Sequence, residues 1–396
     1  MKKIITVVLA VLMLCGLVGC DPSWVLHRDD PSTTDTHNEQ FAKIVADFEN
    51  SVAALPKYYS MLSDTEKAAY ASIVKTINAN GTDAPIPYPI DNTSMETVTN
   101  AVSYDNPHYM WLSKKWTITS YSTGSASISI PYRCSDAERQ AMATELEQKI
   151  GQIMGGINST MGDYEKELYL HDYLVKNCEY DSEALTNEDF ANAHTAYGAI
   201  VEGKAVCEGY ARAMQLLLSR AGVDAYVIAG TTIDSLGITG KHMWNVVKID
   251  SGWYHLDVTW DDPISTTKDR ALRHSYFNLT DEEIGRNHFY EIETNCTATK
   301  ANYHRKNLLF FTSFDAQKLA DILADELYKA KRTNQNYVEL RFENEGLFNK
   351  AWTAFSEQGL IYKAASIARS KYNADFSTTS FYRSKIDSQY IIGIRF

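Results

Sequence analysis

The sequence predicts an α+β protein, on three observations. Apolar residues recur at helical spacing in several segments before residue 222. The period drops to two between Asp224 and Thr259, and beyond residue 300 helix-like and strand-like segments alternate. At roughly 100–200 residues per domain, the 396-residue chain has room for more than one of them.

Taken in order, the folded part reads as three regions. Residues 41–160 are expected to be mixed but mainly helical. There Ser63 with Glu66 makes a capping box, and Tyr70, Ile73, Val74 and Ile77 follow at helical spacing up to Gly81. From Thr82 to Pro131, proline punctuation and the short runs 116–120 and 126–130 predict loops and strands. Residues 136–153 return to a helix-forming composition.

Residues 161–295 form the second region. Asp163 is placed to cap a helix carrying Leu168, Leu170, Leu174 and Val175, and residues 207–221 predict another, with Gly222 as its stop. Strands follow at 224–230, 242–249 and 253–259, the last two joined by a turn at Asp250, Ser251 and Gly252. Thr280 with Glu283 caps a short helix. Residues 300–396 read as a small α/β domain, with strands at 308–312, 337–342 and 389–396 and helices at 316–332 and 344–355.

Composition removes whole classes of function. Hydrophobic residues are 44% and charged residues 22%, a globular balance that excludes a disordered chain. Acidic residues number 50 against 38 basic ones, a net charge of -12, so no nucleic-acid partner is expected. Lys2 and Lys3 precede an apolar run from Ile4 to Val18, broken only by Thr6 and Gly16, in the manner of an export signal. The run falls short of the ~20 residues that a spanning helix needs. It ends in Leu17, Val18, Gly19 and Cys20, which resembles the lipobox of bacterial lipoproteins. That resemblance implies removal of residues 1–19, a lipid on Cys20, and an exported protein anchored to the membrane of the bacterial cell envelope. Residues 20–40 lack an apolar period and are expected to be a tether.

Six cysteines do not make the dense framework of a disulfide-stapled domain. Once Cys15 leaves with the signal and Cys20 carries lipid, Cys134, Cys178, Cys207 and Cys296 remain. None has the close spacing of a zinc knuckle or a redox pair, and two disulfides are the plain alternative to a reactive thiol.

Cys207 stands at the first turn of its expected helix, where unpaired N–H groups and the helix dipole favour an anion such as a thiolate. A thiolate nucleophile needs a base, and the base an orienting group. His242 opens one expected strand and Asp257 lies in the next. If Asp257 faces Trp244, it sits diagonal to His242 on the same face, about 7–8 Å away between Cβ atoms. A slip of one residue would send the two to opposite faces. In that register Met243, Val247 and Ile249 face the core with Tyr254, Leu256 and Val258, as in a half-buried sheet. His242 and Asp257 lack further clustered ligands, so neither a metal nor another cofactor is expected.

These residues carry a resemblance. Val206, Cys207, Glu208, Gly209, Tyr210 and Ala211, then His242, Met243, Trp244 and Asn245, then Trp253 through Pro263 resemble the transglutaminase-like branch of the papain-type thiol enzymes, over residues 163–288. The resemblance implies a helix bearing the Cys, packed on an antiparallel sheet bearing the His and Asp. It implies Cys207 as nucleophile, His242 as general base and Asp257 as orienting acid. Met243 departs from the Ala usual beside the His. The backbone N–H of Cys207 is the first candidate for the oxyanion hole. His194 and Tyr197 are candidates for a second donor or for lining the cleft, and Trp244 and Trp260 for its walls or the core. The expected activity is thiol-dependent hydrolysis of peptide or amide bonds at the cell surface, with a peptide or protein substrate. The alternatives are cross-linking by transamidation and a non-catalytic adhesion or scaffold protein that keeps the fold. A disulfide on Cys207 would favour the scaffold, and an accessible thiol bonded to His242 the enzyme.

Overall fold

The computed structural model describes residues 5–7, 39, 42–86, 88–122, 124–186, 192–262, 271–376 and 381–396. Apart from Ile5–Val7 and Glu39, the expected signal, the lipobox with Cys20 and the tether lie outside the described residues. No helix among the described residues is long and apolar enough to cross a membrane. The chain divides into two compact units, residues 1–144 and 145–396.

In the first unit the capping box at Ser63 and Glu66 forms, and the helix Asp64–Asn78 follows it. Its buried face, with Tyr70, Ile73 and Ile77, shares a core with an antiparallel sheet in the order Ile5–Val7, Thr117–Ser120, Ala126–Ser129, Asp83–Ile86. The stretch expected to be loops and strands also contains a helix, Asn92–Asp105, which corrects the sequence reading. Its Thr, Ser and Asn content is poor for helix formation, which hides it from propensity. The Asp91 cap and burial of Met95, Val98 and Val102 decide the matter. The helix Asp136–Met154 forms as expected.

In the second unit, the helix Cys207–Arg220 packs on a four-stranded antiparallel sheet, anchored where Asn245 Nδ2 donates to the Ala211 carbonyl at 2.9 Å. The strand order is His288–Phe289, Ala225–Ile233, Thr239–Ile249, Gly252–Leu256. Asp250, at φ 53, sits in the two-residue turn that Ile249 and Gly252 close. Asn245 pairs with Leu256, so continuing the register by one residue sets Asp257 opposite Trp244, as the diagonal placement requires.

Three details are corrections. The strand expected at 253–259 stops at Leu256, because Asp257 turns to cap the short helix Val258–Asp261. Asp163 is the first residue of its helix, Asp163–Asn177, and Gly162 holds the cap position. Finally, the sheet is not half-buried. Trp244 and Val246 on one face are as enclosed as Met243 and Val247 on the other. Tyr290, Ile292 and Cys296, from the segment after the last strand, pack over Trp244 and Val246.

Residues 310–396 add a second sheet in the order Phe310–Phe311, Tyr337–Phe342, Ile391–Arg395, Tyr382–Ile386, with its first pair parallel. The helices Ala316–Arg332, Glu345–Ser356 and Leu360–Tyr372 share its core through Leu323, Leu327, Phe355 and Ile361. The strand expected at 308–312 shrinks to two residues, since Leu308 takes a left-handed backbone at φ 61. The sequence reading assigns nothing to Leu360–Tyr372 or Tyr382–Ile386. Buried polar groups tie this sheet to the segment before it. Glu339 accepts the His274 N–H (3.0 Å) and the Ser275 hydroxyl (2.6 Å), and Arg341 pairs with Glu283 at 3.2 Å.

Candidate active site

Cys207 is the first residue of its helix, and Val206 at the cap position gives no side-chain hydrogen bond to the first turn. The first-turn N–H groups therefore gather beside the sulfur without a side-chain cap. Gly209 makes the next turn possible: a Cβ there would meet the Ala193 carbonyl at 2.4 Å, so only glycine lets the segment before the Cys lie against the helix. Val206 N–H donates to that same carbonyl at 3.0 Å. The Cys207 thiol is outside any disulfide and partly exposed, as is Cys134; Cys178 and Cys296 are buried and also not disulfide-bonded.

His242 meets the sulfur from the sheet. Its Nε2 lies 2.7 Å from Asp257 Oδ2, and its ring is hydrogen-bonded to the Cys207 side chain, which leaves Nδ1 as the nitrogen for the sulfur. Burial pulls the imidazolium down, but the Asp257 carboxylate and then the Cys207 sulfur outweigh it. The result is a His242 pushed up to about 10. Burial alone would raise Asp257; His242 and then His288 hold it well below the usual carboxylate range instead. Asp257 Oδ1 accepts the N–H groups of Thr259 and Trp260 at 3.0 and 3.2 Å, the capping bonds that turn the chain out of the sheet. The turn that ended the expected strand thus fixes the carboxylate.

The remaining expected residues are placed differently. His194 Nδ1 lies 3.1 Å from Glu208, which also pairs with Arg212 at 3.0 Å. Tyr197 bonds Glu145 through its hydroxyl. Trp244 is buried, donates to His255 Nδ1 at 3.0 Å and stacks on the His242 ring with centroids 6.0 Å apart, so it backs His242 as part of the core. Trp260 packs 5.8 Å from His242.

Two residues that sequence reasoning missed stand at the site. His288 Nε2 reaches Asp257 Oδ2 at 3.0 Å from the edge strand. Tyr180 is close enough to Cys207 and Asp257 for their charges to act on it, and burial with those charges pushes its hydroxyl up to about 12. The only local sign of either is an aromatic or His outside a clear periodic segment. Among the described residues, His242, Asp257 and His288 also form one of three groups whose ligand-type atoms come within 4.8 Å of one another. The others are His171, Asp172 and His274, and His255, Asp281 and Cys296. In each group the imidazole nitrogens and carboxylate oxygens are engaged in hydrogen bonds with one another.

The sequence model of the transglutaminase-like superfamily matches residues 151–258. These residues are a transglutaminase-like core domain. The match takes in the Cys207 helix, the His242 strand and Asp257. No curated protein matches the chain. Among solved structures, one described as a TGase is similar at 13% identity over 45% of this chain and 50% of its own, with a TM-score of 0.28. A candidate protease from Parabacteroides distasonis shows 11% identity over 37% and 30%, with a TM-score of 0.23. A candidate cysteine protease from Cytophaga hutchinsonii shows 18% identity over 36% and 61%, also at 0.23. The likeness covers less than two thirds of each of those three chains.

Proposed function

We propose that the transglutaminase-like domain performs thiol-dependent acyl transfer and hydrolyses peptide or amide bonds in a peptide or protein substrate. One observation carries this reading: a partly exposed sulfur at the start of a helix, paired with an imidazole that a buried carboxylate orients. The sulfur attacks the carbonyl carbon, and the oxyanion that forms lies toward the first-turn N–H groups of the Cys207 helix. The C–N bond breaks as the His242 imidazolium gives its proton to the leaving amine, leaving a thioester on Cys207. Water then attacks the thioester while His242 takes its proton. The C–S bond breaks, the acid departs and the sulfur is restored. Water is the acceptor in this reading, as the solvent that reaches the partly exposed sulfur.

The test is Cys207→Ala. Turnover of a peptide library and labelling of this position by iodoacetamide at neutral pH should both vanish. Undiminished turnover in the variant would overturn Cys207 as the nucleophile.

We also propose that the protein works outside the cytoplasm as a lipoprotein of the cell envelope, tethered through Cys20. The charged, apolar and Leu-Val-Gly-Cys sequence of residues 2–20 supports this. Cys20→Ser should move the protein out of the membrane fraction, and unchanged fractionation would sink the anchor.

A further inference from the structure

Asp257 carries two imidazoles on one oxygen. His242 Nε2 lies 2.7 Å and His288 Nε2 3.0 Å from the same Oδ2, while the Thr259 and Trp260 N–H groups occupy Oδ1. His288 is fully buried, with Trp260 and Trp244 rings centred 4.8 and 5.0 Å from its own. On its other side, Nδ1 is 2.8 Å from Asn287 Oδ1. Asn287 Nδ2 donates to the Tyr276 hydroxyl at 2.8 Å and to Ser388 Oγ at 3.1 Å. Ser388 belongs to the turn Asp387–Gln389, just before the last strand of the C-terminal sheet. A continuous chain of contacts therefore runs from the C-terminal sheet to the nitrogen opposite the sulfur.

We propose that His288 is a positioning residue that tunes His242 through the shared Oδ2 of Asp257, and that Asn287 and Ser388 hold it there. The proposal rests on the reading of His242 as the base for Cys207.

The two imidazoles compete for one oxygen. An oxygen accepting two N–H groups binds each less strongly than an oxygen accepting one. With Asp257 to itself, His242 would hold its proton more tightly and surrender it to a leaving amine less readily. His288 meets Asp257 as a neutral ring, since burial pushes it down to about 4 with only partial opposition from Asp257. A neutral ring donating from Nε2 must accept at Nδ1. The Asn287 amide supplies that donor once its Oδ1 and Nδ2, which have the same shape, are exchanged from the placement above, so that the NH2 faces the ring and the carbonyl faces the two hydroxyls. The other titratable groups facing this cluster are Cys207 and Tyr180 near His242, His255 behind Trp244, and Tyr276 with Asp261 on the side of the short helix.

The experiment follows alkylation of Cys207 by iodoacetamide as a function of pH in the full chain. Four variants are compared: His288→Leu, His288→Gln, Ser388→Ala and His242→Ala. His288→Leu should move the alkaline inflection up by about one pH unit, a tenfold change in the proton equilibrium. His288→Gln, which keeps an N–H near the Nε2 position, should restore it. Ser388→Ala should move it the same way by less. A merely structural His288 would lower thermal stability and leave the inflection in place. An unmoved inflection in both His288→Leu and Ser388→Ala, with labelling that still depends on His242, overturns the proposal and leaves the Cys207–His242 pair standing. Labelling of Cys207 that ignores His242→Ala overturns the reading beneath it. Should His288→Leu fail to fold, the comparison of Ser388→Ala with the wild type decides, and no shift there refutes the proposal.

Discussion

Two buried clusters in the second unit are assembled from the same parts. In one, Asp257 holds His242 and His288. In the other, Asp172 Oδ1 holds His171 (3.1 Å) and His274 (2.8 Å), while Asp261 takes the far nitrogen of His171 at 3.2 Å. Burial opposes the charge on His171, and the two carboxylates overcome it, pushing it up to about 9. Judged by charge and hydrogen bonding alone, the clusters are alike. What separates them is the far side of the imidazole: His242 faces a partly exposed sulfur, His171 a second carboxylate. The groove of about 350 Å³ next to Asp172, lined by Glu165, Tyr169 and Lys176 among others, does not include Cys207. An imidazole bound to a carboxylate is a staple until a nucleophile with access completes it.

Breaking one cluster should cost chemistry, and breaking the other should cost folding. The largest effect is expected from Asp257→Asn, which keeps the shape of the site but removes the charge that orients His242. Turnover should fall by about 10³–10⁴, as for the orienting acid of other triads. A loss under tenfold would erase the distinction between the clusters. Next in size, His171→Leu strands the buried Asp261 and should lower the free energy of unfolding by roughly 3–5 kcal/mol in a urea titration. Turnover per folded molecule should stay within about twofold, and a larger loss would place His171 in the chemistry.

The same variant sharpens the comparison through pH. His171 is raised in the fold, so its contribution is fully present below the unfolded value near 6.5 and is lost as pH rises through about 9. The stability gap between wild type and His171→Leu should therefore narrow from pH 6.5 to pH 10, as read by the shift in urea midpoint.

Much of this was legible because it is local. The boxes at Ser63 and Thr280, the helix over residues 316–332 and the strand over 337–342 each carry their own caps or periods, and each forms. Asn92–Asp105 and Leu360–Tyr372 were not legible, since Thr and Ser dilute the first and only three residues separate the second from the helix before it. The hairpin register was legible because the side-chain period of a strand leaves only two choices of face. The enclosure of both faces was not, because the covering segment at 290–296 lies far along the chain and has no period of its own.

The sequence by itself determined the sulfur at a helix start and the hairpin that sets Asp257 diagonal to His242. Both follow from spacing within a single element or a single turn. Only the tertiary structure decided that Asp257 would be shared with His288 and that Ser388 would stand behind it. His288 reaches the site through a two-residue edge strand paired with Thr231 and Thr232. A strand that short leaves no periodic trace, and its position is set by pairing between residues more than fifty apart.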